Sequence, residues 1–256
     1  MTESKEVNMT IHPHLVQALT QKNALKVISG LNNFDCERVS AVVKAADAGG
    51  ATFVDIAAEP TLVEAIRSLT SLPICVSAVE PELFVRAVDA GADLIEIGNF
   101  DSFYTQGIRF EAEEVLELTV KTRSLLPQIT LSVTVPHILT LDKQVQLAEQ
   151  LVQAGADIIQ TEGGTSIKPL NPGVRGLIEK AAPTLAAAHS ISHAVDIPVL
   201  CASGLSSVTV PMAIASGASG VGVGSAINQL NNEVAMVAVV RSLVEALNSY
   251  QKALIQ

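Results

Sequence analysis

Eight short runs rich in β-branched residues recur along this chain, each followed by a longer stretch with helical periodicity. They are Leu25 to Gly30, Thr52 to Ala57, Ile74 to Ala78, Leu94 to Gly98, Thr130 to Val135, Asp157 to Glu162, Pro198 to Ser203 and Gly220 to Gly224. Apolar runs of that length are strands buried on both faces, as in a parallel sheet covered by helices. Eight such units in 256 residues predict an α/β fold of the (β/α)8 barrel type, which needs about 250 residues. A doubly wound open sheet is the alternative, but it does not require a regular count of eight. Residues 1–23 stand outside the repeat as an N-terminal extension, in which Leu15 to Leu19 is expected to form a short helix closing the barrel bottom. Residues 24–256 are expected to be one barrel domain.

The residues that lead into the strands alternate in kind. Ala48-Gly49-Gly50, Ala90-Gly91-Ala92, Ala154-Gly155-Ala156 and Ser216-Gly217-Ala218 precede the even-numbered runs. Glycine just past a helix end supplies the left-handed cap that turns the chain back. Runs three, five and seven are approached through Leu72-Pro73, Leu126-Pro127 and Ile197-Pro198. Proline cannot continue the helix and biases its predecessor toward extended backbone. An internally repeated βαβα unit would produce this alternation.

Composition removes several function classes. Apolar residues make up 48% of the chain, ample for a packed core and incompatible with disorder. The formal net charge of −10 argues against nucleic acid, and with 3% aromatics the chain lacks the stacking platforms that single strands use. No apolar run reaches membrane-spanning length. Cys36, Cys75 and Cys201 are an odd count at unrelated spacings, which suggests a reducing compartment and neither a disulfide framework nor a zinc site. The expectation is a cytoplasmic protein; a homo-oligomer is compatible with the sequence.

Strand residues alternate between the helix layer and the lumen, and the helix layer demands apolar side chains. Val54 and Ile56 outward turn Asp55 and Ala57 inward; Ile95 and Ile97 outward turn Glu96 and Gly98 inward. The same rule predicts Cys75, Ser77, Ser132, Thr134, Gln160, Glu162, Cys201, Ser203, Gly222 and Gly224 inside, with Lys26 there as well. The lumen so predicted is polar, whereas a purely structural barrel is filled by branched apolar layers. Buried charges must pair or touch water. Lys26 paired with Asp55 is therefore either a structural ion pair or part of a site. Asp55, Glu96 and Glu162 lie toward the carboxyl ends of their strands, where barrel enzymes place their chemistry, and are the candidate acid–base groups.

The last two units carry the strongest local signal. Cys201-Ala202-Ser203-Gly204-Leu205 ends run seven, and Gly222-Val223-Gly224-Ser225-Ala226-Ile227 ends run eight and opens a helix. Small residues there let backbone N–H groups approach an anion, and a helix start adds unpaired donors. The loops after strands seven and eight are the recurring phosphate site of such barrels. Ser203, Gly204, Gly222, Gly224 and Ser225 are therefore the candidate phosphate-binding residues, although the glycines could simply permit tight turns. The dinucleotide fingerprint is absent, since Ile227 occupies the place of its third glycine. No G-x-x-x-x-G-K-[ST] segment exists.

Other features are weaker. His189 and His193 stand at i, i+4 but have no acidic or cysteine partner at ligand spacing, so no metal site is predicted. His12 and His14 read as surface residues. Two long connections, Asn99 to Phe110 and Gly163 to Gly176, are either binding loops or surface excursions. The turn Gln160-Thr161-Glu162-Gly163-Gly164-Thr165-Ser166 offers a carboxylate and backbone donors. Without a lysine in that strand, Schiff-base chemistry based there is unsupported. Lys168 in the following loop reads as a surface cation.

These stretches resemble the hypothetical chloroplast reading frame twenty-three family, also called domain of unknown function 561. The resemblance runs through LKVISGLNNF (25–34), GGATFVDIA (49–57), LPICVS (72–77), AGADIIQTEGG (154–164), PVLCASGL (198–205) and GASGVGVGSAI (217–227). It implies a (β/α)8 fold of the aldolase and ribulose-phosphate-binding type, in a cyanobacterial cytoplasm or plastid stroma, and no particular reaction. Ala154 to Ile227 is also similar to flavin-linked barrels of the nitronate monooxygenase type, with Ser203, Gly204, Gly224 and Ser225 matching their FMN phosphate site. The loop after run six lacks the histidine those enzymes carry. Thiazole synthase is similar around the phosphate loops.

Three functions follow as expectations. The first is a barrel binding a phosphorylated small molecule and acting on it as an isomerase or lyase, with Asp55, Glu96 and Glu162 as acid–base groups and Lys26 as cation or amine. The second is an FMN-dependent oxidoreductase, FMN being the one cofactor the sequence suggests. The third is a metabolite sensor or assembly partner without turnover.

Overall fold

In the computed structural model, which describes residues 12–163 and 168–254, the eight runs close on themselves. β1 (Ala24–Ile28), β2 (Phe53–Ala57), β3 (Ile74–Ala78), β4 (Leu94–Ile97), β5 (Thr130–Val135), β6 (Ile158–Thr161), β7 (Val199–Ala202) and β8 (Gly220–Val223) are ordered as in the sequence. Every neighbouring pair is parallel, and β8 pairs back onto β1 with Lys26 opposite Gly222. The barrel, not the open sheet, is the fold.

Helices fill the outside: α2 (Cys36–Gly49), α3 (Pro60–Arg67), α4 (Pro81–Asp89), α6 (Ala112–Leu125), α7 (Leu141–Gln153), α8 (Gly173–Ser192), α9 (Val210–Ala215) and α11 (Glu233–Leu254). Two one-turn helices, α5 (Asp101–Tyr104) and α10 (Ser225–Asn228), sit in the loops after β4 and β8. Asp35 caps α2, accepting from the Glu37 and Arg38 amides, which leaves both positions at the carboxyl end of β1.

The alternating approach to the strands has a clear geometry. Gly50, Gly91, Gly155 and Gly217 have φ of +86°, +110°, +97° and +102°, the region that side chains with Cβ rarely adopt. Pro73 and Pro198 contribute only carbonyls to the sheet, accepting from Val54 and Ile159. A second repeated device braces this end. Asp93 and Asp157, each just after an Ala-Gly-Ala, accept from the Ile74 and Leu131 amides and pair with Arg67 and Arg123 at 2.7 Å. Arg123 also donates to the carbonyls of Gly155 and Ile129.

The inward parity holds for every strand except the seventh, but the lumen is polar only in its upper layers. Below, Phe53, Leu94, Ile158 and Leu200 form an apolar layer with Ala24 and Cys75. Leu15, Ala18 and Leu19 of α1 (Pro13–Thr20) pack against it from underneath. Phe53, Leu94 and Ile158 have the parity of Asp55, Glu96 and Gln160, two residues earlier, so the error lay in reading only the upper positions.

Strand seven corrects a second expectation. Leu200 faces inward, and Cys201 faces the helices, where its thiol donates to the Thr184 carbonyl of α8 at 3.6 Å. Both faces of Val199-Leu200-Cys201-Ala202 are apolar, so the helix-layer rule had nothing to choose between. Ser203, at φ +77°, breaks the strand alternation and reaches the mouth by that turn and not by strand parity.

Candidate functional site at the carboxyl-terminal mouth

The lumen's middle layer is a closed charge cluster. Lys26 in β1, Asp55 in β2 and Glu96 in β4 are each 0% exposed. Lys26 Nζ lies 2.6 Å from Glu96 Oε2, 3.1 Å from Gln160 Oε1 and 3.7 Å from Asp55 Oδ2. Ser77 donates to Asp55, and Ser132 and Gln160 donate to Glu96. Lys26 thus pairs with Asp55, as the sequence suggested, and more closely with Glu96, which the sequence did not pair with it. Burial works against the ammonium, but Asp55 and Glu96 outweigh it and hold the Lys26 pKa above its usual range. Lys26 is a cation here; the neutral amine that a Schiff base needs is not available.

Burial raises the Asp55 carboxyl to about 6, against the pull of Lys26 and with the help of Glu96. A carboxyl that holds its proton more tightly when folded stabilises the protein below its unfolded pKa of about 4, and that contribution is lost as pH rises through about 6. Relative to Asp55→Asn, the wild type should lose on the order of 3 kcal/mol of unfolding free energy between pH 4 and 7. Parallel urea-denaturation midpoints for the two proteins over that range would remove this assignment.

Asn99 roofs the cluster. It follows Gly98 in the left-handed region at φ +62°, and its Nδ2 lies 3.5 Å from both Asp55 Oδ2 and Glu96 Oε1. Above it, two adjoining cavities open at the carboxyl ends of the strands. One, of about 460 Å³, is walled by the loop after β1 and by Asn99, Asp101, Gln160 and Glu162. The other, of about 510 Å³, lies over β7 and β8. They share Arg38, Asn99, Ser203 and Asn228.

All five residues expected to bind phosphate, Ser203, Gly204, Gly222, Gly224 and Ser225, line the second cavity. Gly224 precedes α10, which no side chain caps, so the first amides of that turn are left without intrahelical acceptors. Gly204, at φ +71°, has no room for a Cβ, which would lie 2.7 Å from the Lys180 carbonyl oxygen. Arg38 and Lys180 add two cations to this wall. Arg38 is held by donation to the Asn228 carbonyl at 2.7 Å.

Glu162 lines the first cavity but stands apart from the charge cluster. It accepts from the Asp101 amide at 2.7 Å, Tyr104 Oη at 3.1 Å, and the His137 amide and Nδ1 at 3.2 and 2.9 Å. Half-burial opposes the His137 cation, but Glu162 and then Asp101 prevail and raise its pKa. Burial and the Glu162 charge push Tyr104 up, so it stays a donor. These bonds fasten the loop after β4, whose Phe100 is buried against Phe110. That loop is an anchored wall of the cavity and not a free excursion. Gly164, Thr165 and Ser166 of the strand-six turn lie outside the described residues.

Four residues at the mouth went unread in the sequence: His137, Arg38, Lys180 and Asn99. His137 lies two residues past β5, and Arg38 lies in the first turn of α2 after the β1 loop. Both positions point to the mouth once strands are assigned. Lys180 had no such signal, because α8 is entered through a long loop whose phase is not fixed by the strands. His189 and His193 stack on one another at 4.5 Å on an exposed face. Lys168 is exposed.

The closed ring of eight parallel strands wrapped by helices, with polar side chains gathered at its carboxyl-terminal mouth, defines a (β/α)8 barrel protein. Solved structures of similar fold include thiamine phosphate pyrophosphorylase from Pyrococcus furiosus, 19% identical with TM-score 0.60 over 91% of this chain and 98% of that one. Another is described as "QR15, an Aldolase", 17% identical with TM-score 0.58 over 92% and 97%. Within that class the chain belongs to the family described as "Protein of unknown function (DUF561)", which matches residues 9–253. The "Uncharacterized protein ycf23" of Cyanophora paradoxa is 47% identical over 90% of this chain and 95% of its own length. Among the described residues no helix is long and apolar enough to cross a membrane.

Proposed function

We propose that this chain binds a phosphorylated small molecule at the barrel mouth and acts on it by proton transfer, as an isomerase or lyase. One observation carries the reading: the small-residue turns after β7 and β8 line the same cavity as Arg38 and Lys180. Backbone donors, a helix start and two cations on one wall suit a phosphate dianion. The protein's negative net charge is no obstacle, because the receptor is local.

Glu162 and Asp101 are the carboxylates that line the first cavity, and Glu162 is the one assigned as base. It can take a proton from carbon next to a carbonyl, becoming the neutral acid while the negative charge passes to the ligand's enolate, with His137 holding the carboxyl in place at 2.9 Å. Lys26, Asp55 and Glu96 lie beneath Asn99 and set the field under the floor. Their burial favours one further reading, a ligand sensor without turnover. Glu162→Gln separates the two: an enzyme loses turnover by two orders of magnitude or more with binding retained, while a sensor shows no turnover in either form.

FMN fits the walls poorly. Beyond the phosphate wall the flavin ring would lie in the first cavity, where among the described residues Leu31 is the one apolar side chain. The family resemblance supports a location in cyanobacterial cytoplasm or plastid stroma. Native mass spectrometry of the protein purified from its own cells tests the main reading. A retained phosphate ester is the expected result; retained flavin, or no shift in melting temperature with any phosphate ester, overturns it.

A further inference from the structure

The cavity next to the phosphate wall has a chemistry of its own. Asn32, Asn33, Asn99 and Gln160 line it with carboxamides, and Ser102 and Thr134 with hydroxyls. Carboxamides and hydroxyls both donate and accept, so they pair with groups that do the same. At the far end Glu162 and Asp101 stand together, with His137 Nδ1 2.9 Å from Glu162 and its Nε2 3.9 Å from Asp101. A second phosphate or a carboxylate placed there would meet net negative charge, whereas hydroxyl groups could donate to the same carboxylates. The two cavities share Asn99, Ser203, Arg38 and Asn228, so one molecule can span them.

Resting on the phosphate reading above, we infer that the ligand is a polyhydroxylated monophosphate, a sugar or polyol phosphate whose hydroxyl-bearing chain lies in the carboxamide-lined cavity. An aryl or alkyl phosphate lacks the hydroxyls that one end of the site recognises, and a bisphosphate brings a second anion to the carboxylates there. A site built to hydrogen-bond hydroxyls rejects analogues without them, because its own polar groups are then left unpaired.

Calorimetric titration of the full chain with inorganic phosphate, n-butyl phosphate, phenyl phosphate, ribose 5-phosphate, glucose 6-phosphate and fructose 1,6-bisphosphate tests this. At least one sugar monophosphate should bind tenfold or more tighter than both inorganic phosphate and butyl phosphate, and tighter than the bisphosphate. Asn32→Leu should shrink the ratio of sugar-phosphate to inorganic-phosphate affinity at least fivefold. If butyl or phenyl phosphate binds as tightly as every sugar phosphate, the polyol assignment fails while the phosphate site stands. Tighter binding of the bisphosphate also defeats it, by showing a second anion accepted at the Glu162 end. If no phosphate compound binds at all, the fault lies in the phosphate reading itself.

Discussion

Lys26→Met should lower the unfolding free energy by about 3–5 kcal/mol, the usual consequence of removing one partner from a buried ion pair. The ammonium sits 2.6 Å from Glu96 and 3.7 Å from Asp55, and all three groups are closed to water. Methionine matches the volume but leaves the two buried carboxylates without their countercharge. In a protein of this size the loss should appear as a fall in melting temperature on the order of 10 °C. Lys26→Met combined with Glu96→Gln should recover part of it, since the uncompensated charge is removed. A single variant within 1 kcal/mol of wild type, or a double variant worse than the single by the full cost of a second lesion, would show that the cluster is not coupled as described.

Gly224→Asp should abolish phosphate binding, weakening it about 100-fold or more, as expected when charge-assisted hydrogen bonds are replaced by repulsion. Its Cβ would lie 3.1 Å from the Ile28 carbonyl oxygen and 3.4 Å from Ile28 Cβ, tight contacts that a small shift relieves. The backbone there has φ −119°, so the substitution adds no left-handed strain. Gly224→Asn has nearly the same bulk without the charge and should lose less. Equal losses in the two would mean that sterics and not the anion site explain them, and an unchanged affinity for inorganic phosphate in Gly224→Asp would place the ligand elsewhere. Near-ultraviolet circular dichroism confirms that both variants keep the native packing.

The two experiments probe layers that were unequally legible. The position of Asp55 and Glu96 could be read because Val54, Ile56, Ile95 and Ile97 leave no other face for them. The same logic was silent on Val199-Leu200-Cys201-Ala202, where either face could be buried, and Cys201 was misplaced. The turns at Gly204 and Gly224 were legible from residue size alone. Arg38 and Lys180 were not, since a cation on a helix is ordinarily a solvated side chain until the fold shows which end of which helix it occupies. His137 was overlooked although its place two residues past a strand marks the mouth, as that of Glu162 does.

Local sequence settled the eightfold alternation, the Gly and Pro approaches to the strands and the inward direction of most polar strand residues. It could do so because backbone sterics and the two-residue period of a strand act over a few neighbours. Closure of the barrel decided the rest: the pairing of Lys26 with Glu96, 70 residues away, the clasp of His137 and Tyr104 on Glu162, and the meeting of Arg38 and Lys180 over one cavity. Those contacts join residues far apart in the chain, and their energies depend on distance and on exclusion of water, which exist only once the ring is closed.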